Sequence, residues 1–150
     1  MKRVLSVMSV IAVTIISAGC SQAPAETMEV TVYKSASCGC CNDWIRHLKA
    51  NGFSVKAHNV QNLDQIKQQN GVSPKLGACH TARVGNYVIE GHVPAQDIKR
   101  LLAEKPAVAG LAVPGMPAGS PGMEGPRKDP YNVYTFSEDG SIELYASYQK

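Results

Sequence analysis

The sequence has no strong charge of either sign and lacks the motifs of several large enzyme classes. Its 15 basic and 12 acidic residues give a net charge of +3, and two of the basic residues, Lys2 and Arg3, lie in a segment that we expect to be removed. Nucleic acid is excluded as a partner because phosphate binding needs a clustered basic face. The chain also has no Gly-rich phosphate loop, no His-x-x-x-His pair and no nucleophile elbow. The sequence therefore gives no signal for the chemistry that these three motifs carry.

The N-terminal segment is typical of a secretory signal peptide. Lys2 and Arg3 precede an apolar run over 4–16, which is too short for a stable transmembrane span, and small residues then lead into Cys20. This approach to Cys20 resembles a lipoprotein cleavage box, in which the cysteine is lipidated, although Ser17 stands where an aliphatic residue is usual.

We therefore divide the chain into a signal peptide over 1–20, a tether over 21–27 and one domain over 28–150. In this division Cys20 becomes a lipidated N-terminus, and the protein lies in the periplasm with membrane contact only through that lipid. Ordinary cleavage after Ala25 and an uncleaved membrane anchor are the two alternatives.

The other four cysteines form one cluster, Cys38, Cys40 and Cys41, and one distant position, Cys79. In an oxidising compartment disulfides are the default, and the bridges Cys38–Cys41 and Cys40–Cys79 would use all four. Because both bridges would start from the same cluster, they would add little to a well-formed core, whereas clustered soft sulfur suits Cu(I). We therefore favour metal or redox chemistry over purely structural disulfides. The spacing is not that of a structural zinc site or of a familiar iron–sulfur site.

Hydrophobic periodicity predicts the order strand, helix, strand, helix, hairpin and helix, followed by a long loop and a second hairpin. With the cysteine cluster after the first strand, this order resembles a thioredoxin fold over 28–104. We predict an α/β, thioredoxin-like domain with a central mixed sheet and flanking helices, extended by a long Gly/Pro/Met loop and a C-terminal hairpin. The predicted elements are strands at 28–34 and 53–60, helices at 42–51, 63–69 and 94–104, hairpins at 81–90 and 131–148, and a loop without regular structure at 105–128.

In a thioredoxin-like fold the N-terminus of the first helix favours thiolates, because its backbone donors and dipole stabilise negative charge. The loop before the third strand lies beside that N-terminus, so Cys79 should approach the cluster from the opposite wall. His80 is then a candidate metal ligand, or a hydrogen-bond partner of one. Met116 and Met123 are candidate ligands in the Gly/Pro/Met loop because thioether sulfur suits Cu(I), although loop methionines more often fill gaps in the core.

The remaining polar and aromatic residues near these elements are given structural roles. Trp44 is interpreted as a core anchor, and Asn42 and Asp43 as residues that stabilise the start of the first helix. The other histidines are interpreted as solvated surface residues: His47, His58 and His92.

Five segments carry a resemblance to a known family. They read YKSASCGCC over 33–41 followed by Trp44, GACHT over 77–81, YVIEGHVP over 87–94, GLAVPGMP over 110–117 and GSPGME over 119–124. In these segments, and across nearly all of the mature chain, the sequence resembles the CopG family of bacterial copper-resistance proteins. The resemblance implies a thioredoxin-like fold, a periplasmic location, a cysteine-bridged copper cluster and a redox role that links Cu(I) and Cu(II) near copper efflux systems. Carried over, it places the cluster at Cys38, Cys40, Cys41 and Cys79, with Met116 and Met123 as additional ligands.

Three functional hypotheses follow. The first is copper binding with redox activity during detoxification. The second is a non-catalytic chaperone or buffer that receives Cu(I) and passes it to an efflux system. The third is a thiol–disulfide oxidoreductase, because Cys38 and Cys41 have the separation of a C-x-x-C redox pair. Its weak point is Cys40, an extra thiol that invites mispairing.

Overall fold

The computed structural model describes residues 28–149 of the protein. The predicted signal peptide, the tether and Cys20 lie outside these residues. Across 28–149, no helix has both the length and the apolar character needed to cross a membrane.

The described residues form a mixed sheet flanked by helices. The elements in chain order are β1 (Glu29–Lys34), α1 (Gly39–Ala50), β2 (Ser54–Asn59), α2 (Leu63–Gln69), a short 3₁₀ turn (Pro74–Leu76), β3 (His80–Val84), β4 (Tyr87–Glu90), α3 (Ala95–Glu104), β5 (Gly110–Ala112), β6 (Tyr131–Phe136) and β7 (Ile142–Tyr148).

The seven strands lie in the order β2-β1-β3-β4-β5-β6-β7. Strands β1 and β2 are parallel, and β3 runs antiparallel to both of its neighbours, β1 and β4. The first four strands with α1, α2 and α3 therefore have the thioredoxin-like arrangement, which confirms the predicted fold class. Strand β5 extends the sheet parallel to β4, and the predicted C-terminal hairpin completes it as β6 and β7.

Both faces of the sheet carry a buried apolar cluster, because successive side chains along a strand point to opposite faces. On one face, Val32 and Ile89 pack in the main core with Trp44 of α1 and Leu101 of α3. Trp44 is fully buried, which confirms its prediction as a core anchor, and its Nε1 donates to the carbonyl of Val93 at 2.9 Å. On the other face lies a smaller cluster whose members are Val72, Leu76, Val88, Ala112 and Phe136.

Helix α1 begins three residues earlier than predicted, because a cysteine caps it. The Sγ of Cys38 accepts a hydrogen bond from the backbone N–H of Cys41 at 3.3 Å. The prediction that Asn42 and Asp43 stabilise the helix start is therefore wrong, and Asp43 instead forms an ion pair with Arg46 one turn on. The earlier start places Cys40 and Cys41 in the first turn of α1.

The prediction that 105–128 contains no regular element is wrong, because this segment contains β5. Gly110 allows this strand to pair closely with β4, since a Cβ at Gly110 would lie 1.9 Å from the carbonyl oxygen of Val88. All three residues of this strand are buried, and its apolar side chains are shielded from water only in the folded sheet. The segment 113–130, between β5 and β6, is called the methionine loop below.

Candidate metal centre

The N-terminus of α1 and the loop before β3 bring four cysteine sulfurs together. The Sγ atoms of Cys38 and Cys40 are 3.6 Å apart, and Cys79 Sγ lies 3.8 Å from that of Cys40 and 3.6 Å from that of Cys41. All four sulfurs lie within 4.8 Å of one another. The structure thus places Cys79 against the cluster, on the wall opposite α1.

Two of these sulfurs are joined in a disulfide, Cys38–Cys41, whereas Cys40 and Cys79 are free thiols. The Cys38–Cys41 bridge is one of the two that the cysteine spacing allowed. Because metal ligation needs thiolates, all four sulfurs become available only after two-electron reduction of this bridge.

Cys79 is held in its protonated form when no metal is bound. Burial raises the pKa of the Cys79 thiol to about 12, and the neighbouring Cys40 adds to the increase. A metal ion at this sulfur must therefore displace a proton, so its binding should be coupled to proton release.

Two buried histidines complete the inner wall of the site. His92 Nε2 lies 3.0 Å from Cys79 Sγ, and His92 Nδ1 lies 2.7 Å from the carbonyl oxygen of Pro121. A carbonyl can only accept, so Nδ1 carries the proton and Nε2 presents a lone pair to the sulfur site. His80 Nδ1 lies 3.4 Å from Cys79 Sγ, and its buried Nε2 has no hydrogen-bond partner among residues 28–149.

Both imidazoles are suited to metal ligation because they are neutral. Burial lowers the pKa of His80 well below its usual value, with a further contribution from His92. Burial likewise lowers the pKa of His92, although the Pro121 carbonyl opposes the change. Cys79, His80 and His92 therefore form a second group of ligand atoms within 4.8 Å, which shares Cys79 with the four-cysteine group.

The prediction that His92 is a solvated surface residue is wrong, since its side chain is fully buried. The hairpin register explains this position. Thr81 pairs with Glu90 across β3 and β4, so the same antiparallel register places position 92 opposite Cys79. The sequence held this signal, because the Gly85-Asn86 turn already determined which residues face each other.

The other two histidines have different environments. His47 is half-buried, and its Nε2 accepts the backbone N–H of Ala95 at the start of α3, so its prediction as a solvated residue is also wrong. His58 is exposed and stacks on Tyr33, as expected of a surface residue.

The methionine loop contacts both walls of the cysteine site through glycines. Gly115 donates to the carbonyl of Gly77 at 3.1 Å and pairs with Ala78, next to Cys79. At Gly122 an added Cβ would lie 2.9 Å from the carbonyl oxygen of Cys40. Each of these glycines immediately precedes a methionine: Met116, which is 53% exposed, and Met123, which is half-buried. Their role as ligands stays a prediction.

The donor set fits a soft metal ion. Four cysteine sulfurs and two neutral imidazoles surround the site, and neither group of ligand atoms includes a carboxylate. Thiolates favour Cu(I), while imidazole suits copper in either oxidation state. These residues could therefore hold more than one metal ion, with Cys79 as the shared sulfur.

Comparisons with known proteins found one matching family model and two similar solved structures. Residues 76–123 match a family model described as "Protein of unknown function, DUF411". Two solved structures are similar to the chain. "Copper resistance protein copG- Form 2" is 45% identical, with a TM-score of 0.79, and the alignment covers 83% of this chain and 100% of the other. "Copper resistance protein copG- Form 1" is 44% identical, with the same TM-score and coverage. The comparison with curated proteins found no match.

Proposed function

The chain belongs to the CopG family of copper-resistance proteins, and we propose that it binds Cu(I) at its four cysteines and exchanges electrons with copper there. The observation that supports this most directly is the set of four sulfurs within 4.8 Å, together with two buried, neutral imidazoles. Copper is the cargo and the redox substrate of this site. The bound ions would lie between Cys38, Cys40, Cys41 and Cys79, with His80, Met116 and Met123 as additional candidate ligands.

The redox step couples copper to the Cys38–Cys41 pair. Two Cu(II) ions accept one electron each from the dithiol and become Cu(I), the Cys38–Cys41 bond forms, and two protons leave. In the reverse direction, two Cu(I) ions supply the electrons that reduce the bridge, and two protons are taken up. Electrons, protons and sulfur bonds balance in both directions, and no further reactant is needed.

A second candidate function is thiol–disulfide exchange with another protein. The Cys38–Cys41 disulfide at the start of α1 favours it, because a bridge at a helix N-terminus is the arrangement of a redox-active C-x-x-C pair. The chaperone or buffer hypothesis uses the same sulfurs without electron transfer, and passes Cu(I) to a copper efflux system or another periplasmic copper protein.

We also propose that the protein works in the periplasm, attached to the membrane by a lipid on Cys20. The sequence of the first 20 residues supports this location. Metabolic labelling with a radioactive fatty acid, compared between the natural protein and Cys20→Ala, tests it. Equal labelling of the two would contradict lipidation.

An anaerobic Cu(I) titration against a competing chelator tests the main proposal. The dithiol form should bind at least one Cu(I) tightly, and the disulfide form should bind it at least tenfold more weakly. Trp44 gives an independent signal, because it is the single tryptophan of the chain and its ring centroid lies 4.3 Å from that of His80. Copper at the site should quench its fluorescence.

Cys40→Ser separates the hypotheses, because it removes one ligand and leaves the Cys38–Cys41 pair intact. Copper-based function requires Cu(I) affinity and copper resistance to fall together in this variant. If resistance persists while Cu(I) affinity is lost, thiol–disulfide exchange is the function. If the protein binds Cu(I) but neither oxidises Cu(I) nor reduces Cu(II), the chaperone hypothesis replaces the redox one.

A further inference from the structure

A buried ion pair lies directly behind Cys79. Lys67 reaches from α2 to Glu90 at the end of β4, and their side chains are 13% and 0% exposed. Neither residue belongs to the two groups of ligand atoms, and neither is needed for the proposed copper chemistry. A buried pair of charges adds little net stability compared with apolar residues of similar size, because both charges must leave water. Stability alone therefore does not account for the pair.

The Glu90 carboxylate holds the chain on both sides of the Cys79-His80 dipeptide. Its Oε1 accepts the backbone N–H of Ala78 at 2.7 Å, and its Oε2 accepts the hydroxyl of Thr81 at 2.7 Å. Ala78 immediately precedes Cys79, and Thr81 immediately follows His80. One rigid carboxylate thus fixes both ends of the segment that presents the Cys79 sulfur.

Lys67 holds the carboxylate in this orientation. Its ammonium group contacts Glu90 Oε1 and also donates to the Thr81 hydroxyl oxygen at 3.1 Å. Burial raises the pKa of Glu90, while the Lys67 charge and the three hydrogen bonds oppose that increase and favour the carboxylate. Helix α2 is thereby tied to the loop that carries Cys79.

Close packing against Gly91 also restricts the segment around Ala78, which leads into Cys79. At Gly91, which follows Glu90, an added Cβ would lie 2.6 Å from the Cβ of Ala78 and 2.5 Å from the carbonyl oxygen of Val113. The Ala78 segment is therefore confined between β4, the start of the methionine loop and the Glu90 carboxylate. Confinement of this kind sets the distance of Cys79 Sγ from Cys40 and Cys41.

We propose that Lys67 and Glu90 are positioning residues, which hold the Cys79 sulfur against the α1 cysteines so that it can share metal ions with them. The proposal rests on copper binding as the function of the site. Residues that orient metal ligands typically contribute 10–100-fold to metal affinity, and we expect a loss of about this size when the carboxylate is removed.

The first test needs no copper. In the oxidised, metal-free protein, Cys40 and Cys79 are the free thiols among the described residues, and their alkylation rates can be followed separately by peptide mass spectrometry. Glu90→Ala should free the Cys79 loop and raise the ratio of the Cys79 rate to the Cys40 rate at least fivefold. General loss of stability would accelerate both thiols and leave the ratio unchanged, which would overturn the proposal.

Two variants and a matched control sharpen this result. Glu90→Gln keeps an acceptor for the Ala78 N–H, so its ratio should stay within about twofold of the natural protein. Glu29→Ala removes the exposed Glu29–Lys56 ion pair at the far end of the β1–β2 ladder and should leave the ratio unchanged. If Glu90→Ala does not fold, Thr81→Val removes only the two hydrogen bonds of the Thr81 hydroxyl, the one it donates to Glu90 and the one it accepts from Lys67, and should raise the ratio about twofold.

The second test measures Cu(I) affinity of the reduced variants by chelator competition. Glu90→Ala should bind 10–100-fold more weakly than the natural protein, and Glu90→Gln should recover most of that affinity. Unchanged affinity in Glu90→Ala would overturn the positioning role for copper. If the natural protein itself fails to bind Cu(I), the proposed function fails, while the alkylation ratio still decides whether Glu90 positions Cys79.

Discussion

Replacing Gly122 by alanine should detach the methionine loop from α1 while the rest of the domain stays folded. Gly122 has a φ of +84°, and its added Cβ would lie 2.6 Å from the backbone nitrogen of Trp44 and 2.9 Å from the carbonyl oxygen of Cys40. These neighbours are backbone atoms inside a helix, so they cannot rotate away as a side chain could. The loop must yield instead.

The magnitude follows from two separate costs. The left-handed conformation costs a residue with a Cβ about 1–2 kcal/mol. Relief of the contact with Trp44 requires a shift of roughly 1 Å, and overpacking of this kind costs about 1–3 kcal/mol. Together they cost about 2–5 kcal/mol, and 2 kcal/mol alone corresponds to a roughly 30-fold increase in the detached population.

Limited trypsin digestion reports this detachment directly, because Arg127 and Lys128 are exposed in the same loop. Cleavage after these residues should be at least tenfold faster in Gly122→Ala than in the natural protein, and Cu(I) affinity should fall with it. Gly125→Ala is the matched control, since an added Cβ at Gly125 meets no atom within 4 Å. Its cleavage rate should change less than twofold.

Equal cleavage rates in the two alanine variants would refute the packing of the methionine loop on α1. Faster cleavage of Gly122→Ala with unchanged Cu(I) affinity would instead refute the contribution of this loop to the metal site.

Three further predictions concern the histidines and methionines. His92→Gln should weaken Cu(I) binding about tenfold and speed tryptic cleavage of the loop, because one ring contacts both Cys79 and the loop carbonyl. Burial lowers the pKa of His80 and His92, so unfolding takes up protons as the pH falls through about 6.5, and the free energy of unfolding of the metal-free protein should fall by at most about 1.5 kcal/mol from pH 7.5 to pH 6. Met116→Ala combined with Met123→Ala should weaken Cu(I) affinity more than Cu(II) affinity, because thioether sulfur prefers Cu(I).

Each of these predictions has its own control. His58→Gln is the control for His92→Gln, because His58 is exposed. A similar loss of Cu(I) affinity in His58→Gln would show that the effect of His92→Gln is not local to the metal site. Denaturant titrations at the two pH values measure the stability change, and a free energy that is constant or rises toward pH 6 would contradict the lowered pKa of the two histidines. For the methionines, Met28→Ala is an exposed control at the residue before β1, and unchanged Cu(I) affinity in the double variant would make both loop methionines packing residues.

Most of the secondary structure could be predicted because it depends on local patterns. Alternation identified β1, the two hairpins and their ends, and Asn-Gly punctuation ended α1 and α2. The start of α1 could not be predicted in this way, since cysteine is not a usual cap and its Sγ accepts the Cys41 N–H only in the folded turn. Strand β5 was missed because three residues carry no periodicity, and its pairing depends on the approach of Gly110 to Val88.

The sequence by itself determined the chemistry of the site: three crowded cysteines and Cys79, at a position that the thioredoxin-like order brings beside them. The tertiary structure alone decided which histidine and carboxylate groups surround these sulfurs. The Gly85-Asn86 turn already implied the register that places His92 opposite Cys79, but only the fold shows that His92 is fully buried and donates to the Pro121 carbonyl. Only the fold shows that the Glu90 carboxylate accepts the backbone N–H of Ala78, next to Cys79. Local patterns encode which residues can form a strand or donate a sulfur. Beyond the register that a short hairpin turn sets, they do not encode which buried polar groups meet, because that depends on the packing of elements that come together only in the folded protein.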